Sequence, residues 1–262
     1  MLNLFGVGED MKPSFFSTAK RLILRALILA LFLPSPARAL DLHRLIREVE
    51  DQYIGRSSHA RMTMDVVSEH WERRLEMEAW SLGRDRFLVR ILEPPKERGV
   101  ATLKVGRQVW NYLPRVDRVI KIPPSMMGGA WMGSNITNND LVKEAHIDED
   151  YDFRLQEETA EFWRVEGLPK PDAAVVWGKI VYRIDKTGRV PELVEYFDEK
   201  MAKVREIRFD DVRKVQGRDL PMRMTVQPVD KPEERTVLQY RTIEFDLPLK
   251  EDFFSLRTLK SR

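Results

Sequence analysis

The sequence contains no cysteine. Disulfide bonds, thiolate metal sites, a cysteine nucleophile and a lipidated N-terminal cysteine are therefore excluded. Histidine is almost as scarce. His43, His59, His70 and His146 are scattered, and none stands in the HxxxH or HExxH spacing that a zinc hydrolase needs. No GxSxG nucleophile elbow occurs. Gly128 to Gly133 followed by Ser134 lacks the lysine of a phosphate loop. Asp148-Glu149-Asp150 and Asp152 lack the glycine and terminal glutamate of a calcium loop, so this run reads as a solvated acidic loop. No pair among the many carboxylates is singled out for acid–base work. The chain does not read as an enzyme, and neither a metal nor a cofactor is expected.

An excess of one charge is missing too. The formal net charge is +2, but residues 1–39 hold five basic residues against two acids, and the remainder holds 39 basic against 40 acidic. These charges alternate without a basic block, so no nucleic-acid partner is expected. Long apolar runs are confined to the start. Ala26–Leu33 is about half the ~20 residues of a membrane span. It follows Lys12, Lys20, Arg21 and Arg25, is broken by Pro34 and Pro36, and precedes Ala37-Arg38-Ala39, a small-x-small cleavage pattern. Residues 1–39 read as a Sec-type signal peptide, with Met11 an alternative start and an uncleaved anchor as the competing reading. The mature protein would begin at Leu40 and reside in the periplasm.

What is present after residue 40 is mostly alternation. Leu42, Leu45, Ile46, Val49 and Tyr53 form one apolar stripe, which predicts a helix over Asp41–Tyr53 capped by Asp41. The period then becomes two. Ala60, Met62, Met64 and Val66 share one face of a strand, and Leu75, Met77 and Ala79, then Phe87, Val89 and Ile91, continue that pattern. Further strands are predicted at 101–105, 108–113, 118–122, 151–157, 161–166, 175–184, 192–197, 203–212, 222–228 and 234–245. A short helix is predicted around Asn139–Glu144. Neither a linker nor a repeat interrupts them. The expectation is one mainly β domain, 40–262, built on a large curved antiparallel sheet with few helices.

Met62, Met64, Val66, Leu75, Met77, Phe87, Val89 and Ile91 present an adaptable apolar face, and Trp110 is assigned to the same surface. Periodicity alone leaves a ligand pocket and a filled core equally open. Residues 123–138 are long for a connection within a sheet. They carry Met126, Met127, Trp131 and Met132 among Gly128, Gly129 and Gly133. Such a segment reads as a lid over a cavity, or as a plug that completes the core. The candidate ligand-binding set is these four residues with the nine of the apolar surface.

The order of segments resembles the LolA-like family of outer-membrane lipoprotein-sorting proteins. The resemblance rests on Trp131-Met132-Gly133-Ser134 followed by Asn138-Asn139-Asp140-Leu141-Val142. It continues through Lys179-Ile180-Val181, Pro191 and Glu195-Tyr196-Phe197-Asp198. Phe209-Asp210-Asp211-Val212, Gly217 to Met224, Thr236, and Asp252-Phe253-Phe254-Ser255 to Leu259 complete it. It implies an unclosed β-barrel with helices and a loop over its mouth, and a cavity for acyl chains. It also implies a monomer that takes lipid or acylated lipoprotein from an inner-membrane transporter, such as an RND-type exporter, to an outer-membrane acceptor. The alternative is a non-enzymatic periplasmic adaptor or sensor of such an envelope complex, with a filled core. If the leader reading holds, N-terminal sequencing of a periplasmic extract will return Leu40 as the first residue; an intact leader in the membrane fraction would refute it.

Overall fold

A computed structural model describes residues 40–143, 147–173 and 175–261; the predicted signal peptide lies outside them. The chain divides between Leu40 and Asp41, and everything below belongs to the unit Asp41–Arg262. Thirteen strands form one antiparallel sheet: β1 Ser57–Val67, β2 Glu72–Leu82, β3 Arg86–Glu93, β4 Ala101–Val105, β5 Gln108–Leu113, β6 Arg118–Lys121, β7 Tyr151–Glu158, β8 Phe162–Pro169, β9 Lys179–Asp185, β10 Pro191–Phe197, β11 Lys203–Val215, β12 Arg218–Pro228 and β13 Arg235–Phe245. Their spatial order is β6-β5-β4-β3-β2-β1-β13-β12-β11-β10-β9-β8-β7. Two meanders are thus joined by pairing of the first strand with the last, from Ser58 opposite Phe245 to Val67 opposite Arg235. The outermost strands β6 and β7 do not pair with each other, so the sheet is not closed. No helix among the described residues is long and apolar enough to cross a membrane.

Register divides the side chains between two faces, because a period of two sends neighbours to opposite sides. One row runs Phe209–Met224–Leu238–Met64–Leu75 across five strands. A second runs Tyr240–Met62–Met77–Ile91. These rows lie on the inner face. Trp80, Leu88, Leu103 and Trp110 form a row on the outer face. There the end of the chain covers them. A 3-10 turn at Glu251–Phe253 leads into a helix, Leu256–Lys260, which is too short to show in the periodicity and lies outside the predicted elements. Ser255 caps it by accepting from the Thr258 amide, and Arg90 donates to the Thr258 carbonyl at 2.7 Å. Phe254 and Leu259 pack with Leu88, Ala101, Leu103 and Tyr112.

The N-terminal helix, Leu42–Glu50, lies where its stripe predicts. Asp41 accepts from the Arg44 amide, and Leu45, Ile46 and Val49 are buried. A 3-10 turn, Asp51–Tyr53, extends it. Two short helices, Asp140–Lys143 and Ile147–Asp150, follow the central segment. The second occupies the run expected to be a solvated acidic loop. Asp148 is buried instead, since the Arg47 and Arg84 guanidiniums each reach it at 2.6 Å. The strand expected from Val175 starts only at Lys179. Gly178 passes the neighbouring chain so closely that a Cβ there would meet the Asp198 carbonyl oxygen at 2.4 Å. Leu259 is fully buried against the outer face. Leu259→Ala should therefore lower unfolding stability by roughly 2–5 kcal/mol in denaturant titration; a loss too small to measure would show that the terminal helix is not part of the cooperative fold.

Candidate functional site

Residues from β3 and β4 meet residues from β9 to β13 across one cavity, so the sheet curves around it. The cavity has a volume of about 290 Å³. Its wall is laid down by register. Tyr182, Val194, Ile207 and Val226 are opposed in sequence across β9 to β12. Phe209, Met224 and Leu238 form the adjacent row. Tyr240 stacks on Tyr53 from the N-terminal 3-10 turn at 5.1 Å, and the Tyr53 hydroxyl donates to the Pro221 carbonyl at 2.6 Å. Val49, Glu50 and Ile54 complete this side.

The central segment forms the opposite cover. Trp131 is buried and lines the cavity, and its indole N–H donates to the Thr102 hydroxyl on β4 at 3.1 Å. The Asn135 amide donates to the Thr236 hydroxyl on β13 at 2.9 Å, and Arg73 on β2 donates to the Met132 carbonyl. Within the segment, the Trp131 amide donates to the Ile136 carbonyl at 2.7 Å, and the Asn138 side chain donates to the Gly129 carbonyl at 3.1 Å. Met132 and Gly133 are both left-handed, at φ 50 and 68, a pair that turns the chain back after Trp131. Segment and sheet are thus joined by directed hydrogen bonds at β2, β4 and β13.

The predicted residues fall into four groups. Met62, Phe87 and Trp131 line the cavity. Met64, Val66, Leu75, Met77, Val89 and Ile91 are buried on the same face but do not reach it. The central segment is anchored beside two of them, because Arg73 and Thr236 are cross-strand partners of Val66, and Thr102 is the partner of Val89. Trp110 lies on the opposite face, with Lys121 over its ring, since it pairs with Leu103 rather than following Thr102 and Lys104. Met126 is 60% exposed, and Met127 and Met132 are half-buried away from the cavity. Sequence reasoning missed most of the C-terminal wall. The signal for it is the same period-two alternation, as in Ile207 and Phe209, Met224 and Val226, and Leu238 and Tyr240, without the methionine density of β1 and β2.

The cavity also carries charge. Arg205 and Asp140, both buried, form a two-pronged ion pair at 2.6 and 3.2 Å. The Arg205 guanidinium lies over Tyr196 at 4.3 Å and Trp177 at 4.8 Å. This pair ties the short helix that follows the central segment to β11. Arg84 bridges Asp51 and Asp148 at 2.7 and 2.6 Å. Burial alone would raise the Asp148 pKa, but hydrogen bonds from Arg84 and Arg47 outweigh it and hold the carboxyl below its ordinary value. Lys104 is 2% exposed and donates to the Arg84 carbonyl at 2.7 Å. Burial lowers its pKa to about 8. Among the described residues no group of three or more His, Asp and Glu is placed to hold a metal.

A family model described as an uncharacterized protein matches residues 83–261. A search of curated proteins finds no match. Among the solved structures that share the fold are three from different bacteria. A domain assigned to outer-membrane lipoprotein sorting, from Vibrio parahaemolyticus, is 23% identical with a TM-score of 0.73, covering 84% of this chain and 97% of its own. A DUF1329 family protein from Desulfovibrio piger is 20% identical with a TM-score of 0.74, covering 83% and 97%. A LolA superfamily protein from Nitrosomonas europaea is 20% identical with a TM-score of 0.70, covering 84% and 100%.

The depressed Asp148 pKa gives a pH signature. A carboxylate whose folded pKa lies below its unfolded value of 3.8 stabilises above that value and loses its contribution as pH falls through the folded pKa. Asp148→Asn should cost about 1.5–3 kcal/mol at neutral pH, with the gap to the native protein closing below pH 3.8. Melting curves across pH check this; a gap that stays constant would remove the ion pairs from the account.

Proposed function

We propose that the chain, which belongs to the family of uncharacterized proteins whose model spans residues 83–261 and shares its fold with a LolA superfamily protein and a lipoprotein-sorting domain, is a periplasmic carrier of lipid or lipoprotein acyl chains. In this reading residues 1–39 direct export, and residues 40–262 act as a single monomeric domain. The domain takes its ligand from an inner-membrane transporter, such as an RND-type exporter, and passes it to an outer-membrane acceptor. The work is sequestration and not catalysis.

One observation carries the proposal: a cavity of about 290 Å³, walled mainly by apolar and aromatic side chains, in an antiparallel sheet that does not close. A filled core would leave no such space. Met62, Phe87 and Trp131 are the sequence-predicted residues proposed to touch the ligand, joined by Ile207, Phe209 and Met224. Met64, Val66, Leu75, Met77, Val89 and Ile91, buried on the same face, support the wall without lining it. Burying acyl chain gains roughly 0.8 kcal/mol per methylene. A wholly buried palmitoyl chain would therefore gain about 12 kcal/mol before ordering costs. Unaided release is slow on that scale, so delivery requires an acceptor that opens the cavity or offers a better one.

Native mass spectrometry of the gently purified protein should show heterogeneous lipid adducts. Phe209 is only half-buried, so Phe209→Glu should strip the adducts while the melting temperature changes little. Met64 is fully buried, and Met64→Arg should unfold the domain instead. Adduct-free native protein, or equal adducts on Phe209→Glu, would overturn the carrier reading.

A further inference from the structure

Six charged side chains line the cavity: Glu50, Arg84, Arg86, Lys104, Asp140 and Arg205. Five of them have side-chain partners. Asp140 and Arg205 hold each other. Arg84 holds Asp51 and Asp148, and Arg86 reaches Glu251 at 2.7 Å. Glu50 accepts from the Tyr182 hydroxyl at 3.2 Å. Lys104 differs from all of these. It is buried, it faces the cavity, and its ammonium donates to a backbone carbonyl, with no carboxylate at ion-pair distance among the described residues. A buried cation with no carboxylate in direct contact, and only Asp85 acting on it from further off, is costly unless something anionic completes it.

The location suits a head group. Lys104 is the cross-strand partner of Phe87, which in turn pairs with Ser81. Ser81, Gly83, Arg84 and Arg86 bring the polar β2–β3 turn to this end of the cavity. The apolar part of the wall includes Phe87, Met62, Leu238, Met224 and Ile207, and the other buried charges on it, Asp140 and Arg205, neutralise each other. A volume of about 290 Å³ lies at the low end of small-molecule pockets, roughly 300–1,000 Å³, and suits one slender chain.

We infer that the cavity takes a single-chain amphiphile whose anionic head, a carboxylate or a phosphate, pairs with Lys104 while its alkyl tail lies along the apolar wall. This inference rests on the carrier reading and narrows its ligand class. The charges acting on Lys104 are Asp85 and Arg84, of opposite sign, in the same turn, with Arg86 on β3 and Glu50 at the end of the N-terminal helix sharing the cavity. The arginines stay charged throughout the neutral and alkaline range. The Lys104 ammonium is present below about pH 8 and lost above it, so an anionic head should bind less well as pH rises through that value. A neutral head should be indifferent.

The test is calorimetric titration of the delipidated chain with palmitate, palmitoyl lysophosphatidate and hexadecanol, at about pH 7 and about pH 9.5, on either side of the Lys104 titration. Lys104→Met and Lys104→Gln remove the charge while keeping a side chain of similar length; their melting temperatures verify the fold. Palmitate or lysophosphatidate should bind about tenfold or more tighter than hexadecanol at neutral pH. Both variants and alkaline pH should abolish that preference while hexadecanol binding persists. The tighter of the two anions identifies the head as carboxylate or phosphate. Equal affinity for hexadecanol and both anions, or a preference that survives both variants, overturns the Lys104 assignment and leaves the carrier reading standing. Failure of all three probes to bind the native chain overturns the carrier reading, and this inference with it.

Discussion

An antiparallel sheet that does not close leaves its inner face to be covered by other parts of the chain. Thirteen strands curve here until β3 and β4 face β9 to β13, yet β6 and β7 remain unpaired with each other. The N-terminal helix and the central segment supply the cover, from opposite sides. Neither interdigitates with the sheet everywhere, and the cavity is the volume they leave. Its existence follows from architecture more than from any single residue.

Polar chemistry then fixes the cover in place. Apolar packing is non-directional and would tolerate several placements of the central segment. Trp131 to Thr102, Asn135 to Thr236 and Asp140 to Arg205 each require one placement. Asp148 does the same on the other side, drawing Arg47 of the N-terminal helix and Arg84 of the β2–β3 turn to one carboxylate. Buried ion pairs contribute little net stability, because desolvation offsets their attraction, but breaking one is expensive. They act here as registration points between elements far apart in sequence.

The fold was legible in the sequence to a large degree, because a period of two is a local signal. Strands β4 and β5 fall at the predicted residues, and most others fall within a few. What escaped was set by distant contacts. The C-terminal helix spans five residues and is held by the outer face it covers. The acidic run at Asp148 reads as solvated until Arg47 and Arg84 arrive from elsewhere. The site was legible in part. Alternation identifies which residues share a face, and Met62 and Phe87 were found that way. It does not say how far along a strand the cavity ends, nor that Trp110 is one residue out of phase with Lys104. Lys104 itself was invisible, since a lysine in a charged sequence gives no sign that burial awaits it.

The joining of the two meanders has a consequence for how the molecule is assembled. Residues 58 and 245 are neighbours in space, so the seam between β1 and β13 is made by the beginning and the end of the domain. Each meander can form from local hairpins, but until β13 is available β1 presents a bare edge of unpaired amides and carbonyls, with Met62 and Met64 beside it. Such edges template association between chains. Closing this seam carries a large loop-closure entropy and belongs late in folding. A chain emerging from its N-terminus would therefore expose this edge for nearly the whole time of its synthesis, and the last strand would serve as its own shield.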